Sequence, residues 1–291
     1  MGRSFTEEIE SVNHSTTLPR DTSPVPCGDP RDELFKTLEG RLFSGLLTAS
    51  EAGVLSGEEE LTKGAADLGL DVRWLKKEGD LLATGDGIAT VLADPKRMAL
   101  VEERLIGCLA KFSGIATAAK RAVGLAEGRF RVVSGAWKKM PPSLKDGIRQ
   151  AVVTGGASFR IASGPMVYLD KNFLRMLGGV GPAVEAAKGC GDKTIVVQLK
   201  GLFGSVAEET AEAVTHGAGL LMVDTGQVDD LLACLATLET LGRRNQVEVA
   251  LAGNLKIEDI PSLLGYGLDM VDIGRPIVDA PLLDMRLDVK A

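Results

Sequence analysis

Short apolar runs punctuate the second half of the chain at a regular pace. FRVVSG begins at 130, MVYLD at 166, TIVVQL at 194, GLLMVD at 219, VEVALAG at 247 and DMVDIG at 269. Between them lie segments of helical periodicity: GPAVEAAKG, SVAEETAEAVTHG, QVDDLLACLATLETLG and KIEDIPSLLGYG. Strands recurring every 20 to 35 residues or so are the mark of repeated βα units. Near-continuous Val, Ile and Leu suit parallel strands covered on both faces. Six such units predict a barrel or partial barrel, with an open doubly wound sheet as the alternative.

The first half has a mixed pattern. LFKTLEGRLFSGLL and GEEELTKGAADLGL carry apolar residues at helical spacing. VRWLKKEGDLLATGDGIATVLADP is read as short strands joined by Gly-Asp turns. MALVEERLIGCLAKFSGIATAAKRAVGLAEG is a long helical stretch, expected to break near Ser113-Gly114. The GGVGP segment at 178 lacks the lysine and hydroxyl of a phosphate loop and reads as a helix start with Pro182 in its first turn. The expected organisation is a polar tail over 1–31, an α/β sandwich-like domain over 32–129, and an open TIM-like α/β barrel over 130–280. Residues 281–291 are candidates to complete the first domain.

Composition narrows the function classes. The 291 residues carry a net charge of −7, four cysteines, two histidines and 4% aromatics. Two histidines cannot build a three-histidine zinc site, and the cysteines form no C-x-x-C pair. An acidic chain poor in aromatics lacks both the positive surplus and the stacking platforms of a general nucleic-acid binder. No apolar run approaches the roughly 20 residues of a membrane span, and the polar start does not read as a signal peptide. Cys27, Cys108, Cys190 and Cys234 read as free thiols in a reduced cytoplasmic protein, with Cys108 buried. His14, in the tail, and His216, before a glycine turn, read as non-catalytic.

Ligands of parallel α/β folds bind at the carboxyl ends of the strands. Residues just past the six strands are therefore the candidates: Trp137, Lys138 and Lys139; Asp170, Lys171 and Asn172; Gln198 and Lys200; Asp224 and Thr225; Gly253 and Asn254; Gly274 and Arg275. Lysines, a carboxylate and exposed glycines on one face suit an anionic, phosphorylated ligand. Asp224 also suits a cap on the next helix, and the glycines also suit ordinary turns.

The segment ERLIGCLAKFSGIAT (103–117) resembles the E-R-T-x-L-N-x-x-x-x-L-S-G-I-A-T signature of the quinolinate phosphoribosyltransferase family. The similarity runs collinearly from about Leu46 to Val289. AWKKMPPSLK stands where that family has D-T-R-K-T-T-P-G-L-R, GGASFR for G-G-G-x-N-H-R, and LDKNF for I-K-D/E-N-H. VVQLKG, LLMVDT, ALAGN and DIGRP stand for V-E-V-E, I-M-L-D-N, E-x-S-G-G/N and S-V-G-A. The resemblance implies a homodimer that joins quinolinate to phosphoribosyl pyrophosphate with Mg²⁺ and releases CO₂ to give nicotinate mononucleotide. It implies Lys139, Asp224 and Gln198 as catalytic positions, with Asp224 toward the ribose hydroxyls or metal. Arg104 (reaching the partner's site), Lys138, Arg160, Lys171 and Phe159 are the implied substrate positions. Gly253, Asn254 and Gly274 are the implied phosphate site.

Several positions depart from the family pattern. Phe159 and Phe173 stand for histidines, Asp170 for a lysine (with Lys171 one place later), Gln198 for a glutamate and Ala250 for a second glutamate. Ala136, Trp137 and Lys138 stand for Asp, Thr and Arg. Three readings follow: a quinolinate-type phosphoribosyltransferase, a paralogue with a more apolar acceptor, and a non-catalytic binding protein.

Overall fold

A computed structural model of the chain describes residues 28–290. Of the polar tail expected over 1–31, residues 1–27, including His14 and Cys27, lie outside the described residues. The first described unit is short. Asp29 caps helix α1 (Pro30–Leu34) by accepting from the Arg31 amide at 3.0 Å, and a 3₁₀ turn follows over Lys36–Leu38.

Residues 40–291 form the second compact unit, which contains both large sheets. Its first part contains strands β1 (Phe43–Ala49), β2 (Gly53–Val54), β3 (Val72–Trp74), β4 (Leu81–Leu82) and β5 (Gly87–Ala93), with helices α2 (Glu58–Asp67), α3 (Pro95–Arg104) and α4 (Ile106–Leu125). Next come β6 (Arg131–Val133), α5 (Lys145–Thr154), β7 (Met166–Leu169), α6 (Lys171–Leu177), α7 (Val180–Lys188), β8 (Thr194–Leu199) and α8 (Val206–Thr215). The chain continues through β9 (Leu220–Asp224), α9 (Val228–Thr240), β10 (Glu248–Ala252), β11 (Met270–Asp272) and α10 (Arg275–Val278) to β12 (Met285–Lys290).

One sheet is antiparallel, in the order β12-β1-β5-β3, so the last strand pairs with the first. The other is parallel, in the order β6-β11-β10-β9-β8-β7. This order is cyclic in the chain apart from one seam between β6 and β7, beside which Val133 of β6 bridges Ser158 in the segment ahead of β7. It is the order of an α/β barrel left open at one joint, as expected from the six apolar runs.

The parallel strands alternate strictly between two environments. Val132, Val197, Leu221, Val223, Val249, Leu251 and Val271 pack outward into the helix-covered core. Val133, Val196, Leu220, Met222, Ala250, Ala252 and Met270 pack against one another inside. The two-residue period of a strand produces this division.

Four local expectations change. The helix read over 34–47 does not form; Phe43–Ala49 is a strand paired on both sides, and this long-range pairing overrides the local periodicity. The stretch over 98–128 breaks at Leu105 instead of Ser113-Gly114. Ser113 is buried and bonds the backbone of Ser56 in both directions, at 3.0 and 3.1 Å. Gly114 lies against the carbonyl of Pro281, where any Cβ would overlap that oxygen. The glycine serves close approach of two backbones and does not end the helix. The segment at 256–267 forms a 3₁₀ helix over Ile257–Leu263, with Pro261 inside it. Cys108 is half-buried rather than buried. At 178–182, Gly178 ends α6 in the left-handed region (φ 87°), and Pro182 lies in the first turn of α7.

Helix α4 joins the two cores. Leu109 packs with the antiparallel sheet's cluster, while Phe112, Ile115, Ala116 and Ala119 pack with the barrel's. Gly114→Ala is expected to destabilise the chain by about 1–3 kcal/mol through overpacking against Pro281. Urea denaturation checks this; parental stability would show that the α4–Pro281 approach tolerates a methyl group.

Candidate active site

The inward-facing alternation changes chemistry at the carboxyl ends of the strands. The next inward position after Val196 is Gln198, after Met222 it is Asp224, and after Met270 it is Asp272. With Tyr168 they form a polar layer on top of an apolar barrel interior. A cavity of about 1530 Å³ opens above this layer.

Ten of the eleven positions implied by the family resemblance line that cavity: Lys138, Lys139, Phe159, Arg160, Lys171, Gln198, Asp224, Gly253, Asn254 and Gly274. Arg104 does not; it is exposed at the end of α3. Asp170 also lines the cavity, but its carboxylate caps α6, accepting from the amides of Asn172 at 2.8 Å and Phe173 at 3.1 Å. Phe173 is exposed and outside the lining. His216 faces its own helix, with Nδ1 2.8 Å from the Glu212 carbonyl.

Asp224 does not cap α9, whose N-terminal cap is Gln227. Its Oδ2 accepts from Lys200 Nζ at 2.9 Å and from Gln198 Nε2. The same ammonium also donates to the Asp224 carbonyl at 2.6 Å. Gln198 is fixed from its other end, since its Oε1 accepts from the Lys171 amide at 2.8 Å.

One wall is aromatic. Trp137 and Phe159 meet edge to face at 6.1 Å, and Trp137 Nε1 donates to the Phe159 carbonyl at 2.8 Å. Arg160 lies 5.6 Å from the Phe159 ring and Arg149 4.7 Å from the Trp137 ring. Lys138 lies over Tyr168 at 4.6 Å. Cation–π contact of this kind orients the basic groups without neutralising them.

Seven cationic side chains line the cavity, counting Lys193, Lys200 and Arg275, against the four carboxylates Asp170, Asp224, Asp272 and Asp279. The chain as a whole is acidic, so positive charge is concentrated here. At Gly253 two glycines meet back to back. Gly226 (φ 71°) and Gly253 (φ 112°) both occupy the left-handed region, and a Cβ on either would overlap the other's backbone. Asn254 follows with φ 56°. This turn exposes backbone at the cavity edge, as a phosphate cradle requires.

Asp272 was not among the sequence candidates. Burial pushes its carboxyl up to about 6, against the opposing pull of the Gly135 amide, which donates to Oδ1 at 3.1 Å. Asp224 adds to the rise, and Lys138 and Lys139 oppose it. Burial also raises the Tyr168 phenol, with Asp224, Asp272 and Asp170 adding to the effect; its hydroxyl contacts Met222 Sδ at 3.0 Å. Lys200 is one of the candidates past the strands, but the family resemblance implies no role for it. Its signal was parity, because it follows Gln198 by one strand period. Asp272 carried the same signal from Met270.

The donor set does not fit a protein-held Mg²⁺. Among the described residues no three His, Cys, Asp or Glu side chains converge for a metal. Gln198 offers an amide, and Asp224 Oδ2 is committed to two donors.

Comparison with known proteins gives a consistent family. Residues 115–288 match the model of the quinolinate phosphoribosyl transferase C-terminal domain, and residues 34–113 that of its N-terminal domain. The human nicotinate-nucleotide pyrophosphorylase (carboxylating) is 29% identical over 248 residues, covering 84% of this chain and 82% of that protein. A probable enzyme of the same name from Methanothermobacter thermautotrophicus is 26% identical over 250 residues, covering 84% and 87%. The structure of nicotinate-nucleotide pyrophosphorylase from Francisella tularensis shares the fold, with a TM-score of 0.77 at 20% identity, over 91% of both chains.

The raised carboxyl of Asp272 has a consequence for stability. The folded chain keeps this proton where the unfolded chain, at its ordinary 3.8, has lost it. Its contribution to stability therefore falls as pH rises from about 3.8 to about 6. Asp272→Asn retains an acceptor for Gly135 and removes that loss. The variant is expected to gain about 1–2 kcal/mol on the parent at pH 7.5 and to lose that gain toward pH 4. Urea denaturation at the two pH values checks this; a gain independent of pH would contradict the raised carboxyl.

Proposed function

This chain belongs to the quinolinate phosphoribosyl transferase family, and from that premise we propose that it transfers phosphoribose from phosphoribosyl pyrophosphate to quinolinate, releasing CO₂ to form nicotinate mononucleotide. The observation that carries this reading is the convergence of ten family-equivalent positions, eight of them from six strand ends, on one cation-rich cavity. Both substrates are polyanions, and the cavity is large enough for both.

Each group has a part derivable from its place. Lys139 and Arg160 hold charge at the donor and at the acceptor's carboxylates, where charge-assisted hydrogen bonds are the strongest polar contacts available. Lys138, fixed over Tyr168, serves the acceptor as a single point charge rather than a bidentate fork. Asp224 faces the ribose hydroxyls with Oδ1, which accepts no hydrogen bond from the described residues, while Lys200 and Gln198 hold Oδ2. A carboxylate held in this way stabilises a ribosyl centre that gains positive charge as pyrophosphate leaves. The turn Gly253-Asn254 and the start of α10 at Gly274 offer amides to the 5′-phosphate. The aromatic wall Trp137–Phe159 excludes water beside the acceptor ring.

In this reading the chain works as a homodimer in the cytoplasm. Arg104, exposed and away from its own cavity, serves the cavity of a second copy. The free thiols Cys108, Cys190 and Cys234 support a reducing compartment. Among the described residues no helix is long and apolar enough to cross a membrane.

The purified chain, given both substrates, is expected to release CO₂ and form nicotinate mononucleotide in equal amounts. Lys139→Ala is expected to lower kcat/KM by roughly tenfold to a hundredfold. Radiometric CO₂ release with product chromatography reads both. Turnover of another acid but not quinolinate would overturn the assigned acceptor.

A further inference from the structure

The charge arrangement at Asp224 carries a further conclusion, which rests on the donor-binding reading above. Three observations converge. The Lys200 ammonium is bound to Asp224 at two points, Oδ2 at 2.9 Å and the carbonyl at 2.6 Å. The Gln198 amide donates to the same Oδ2 and is itself anchored to the Lys171 backbone. No three metal-ligating side chains gather in the described residues.

Lys200 is itself held rigidly from below. Glu209, in the first turn of α8, is 1% exposed. Its Oε2 accepts from the amides of Lys200 at 3.0 Å and Gly201 at 2.9 Å; its Oε1 accepts from Leu202 at 2.5 Å and Phe203 at 2.9 Å. Four amide donors on one buried carboxylate fix the whole turn after β8, and hence the root of the Lys200 side chain. A cation placed by this much structure is built in rather than adventitious.

We infer that Lys200 takes the place of a divalent cation at Asp224: its ammonium neutralises and orients the carboxylate that meets the donor's ribose. The donor is then bound without an ion held by the protein. Its pyrophosphate is met by cations of the rim that the acceptor does not use, among them Lys139. Lys200 is a positioning residue here, and Glu209 supports it through the turn.

Two measurements test this. In the first, Mn²⁺ is titrated into the chain alone and bound ion is followed by electron paramagnetic resonance. No protein-bound ion is expected. A bound signal that Asp224→Asn abolishes would overturn the proposal, whether or not the donor binds. In the second, phosphoribosyl pyrophosphate is titrated calorimetrically in EDTA and in excess Mg²⁺. Affinities within about fivefold of each other are expected, and a larger loss in EDTA overturns the inference. Lys200→Met, checked for folding by circular dichroism, is expected to lose about tenfold in donor affinity in EDTA, while Lys200→Arg keeps most of it. Parental affinity in Lys200→Met would remove Lys200 from the role. If Lys200→Met does not fold, Lys200→Arg and the two measurements on the parent still decide. Failure of the donor to bind under either condition would instead count against the proposed function, and the Mn²⁺ titration would then decide on Lys200 alone.

Discussion

The constraint on which the site depends is the two-residue period of six parallel strands. Each strand sends alternate residues to the helix-covered core and to the barrel interior, so every functional side chain at a strand end inherits its direction from the apolar residues below it. Gln198, Asp224 and Asp272 point into the cavity because Val196, Met222 and Met270 point into the interior. A one-residue slip in any of these strands would exchange the polar layer for Leu199, Val223 or Ile273 and bury the charges against helices. The apolar packing of the barrel therefore sets the register of the chemistry.

The same parity explains which part of the site could be read from sequence. The rhythm of apolar runs located the strands, and position past each strand located Lys138, Lys139, Lys171, Gln198, Asp224 and Gly253. Counting outward from the apolar runs passed over Asp272, although like Asp224 it is the last residue of its strand. The parity rule would have found it, since Met270 and Asp272 share a face. What no local pattern contains is pairing across long separations. Lys200 and Asp224 come from different strands, and only the adjacency of β8 and β9 joins them. Asp170, a candidate past β7 that stands for a lysine in the family pattern, is a helix cap, because a carboxylate before a helix satisfies nearby amides first.

Misread secondary structure has the same physical source. Phe43–Ala49 has a helix-compatible spacing of apolar residues, yet β12, more than two hundred residues away in sequence, pairs along one edge and β5 along the other. Gly114 looked like a helix breaker and proved to be a contact with Pro281. In both cases a partner distant in sequence decided the local conformation, and in both the partner lies in the last dozen or so residues of the chain. The C-terminal segment thus fixes the antiparallel sheet and helix α4, which in turn packs against the barrel.

The pair Lys200–Asp224 also shows why stability alone does not account for the site. Its side chains remain 30% and 20% exposed, and ion pairs so placed contribute on the order of 0–1 kcal/mol. A buried glutamate spending four amide bonds to hold the turn beneath such a pair is out of proportion to that gain. What the arrangement secures is direction. It fixes one oxygen of Asp224 and leaves the other without a hydrogen bond from the described residues, in a layer where a neighbouring carboxylate, Asp272, already meets enough desolvation to raise its own proton affinity. Two carboxylates facing polyanionic substrates would repel them unless at least one were neutralised in place. The ammonium of Lys200 performs that neutralisation, and the rim cations remain free to attract the ligands.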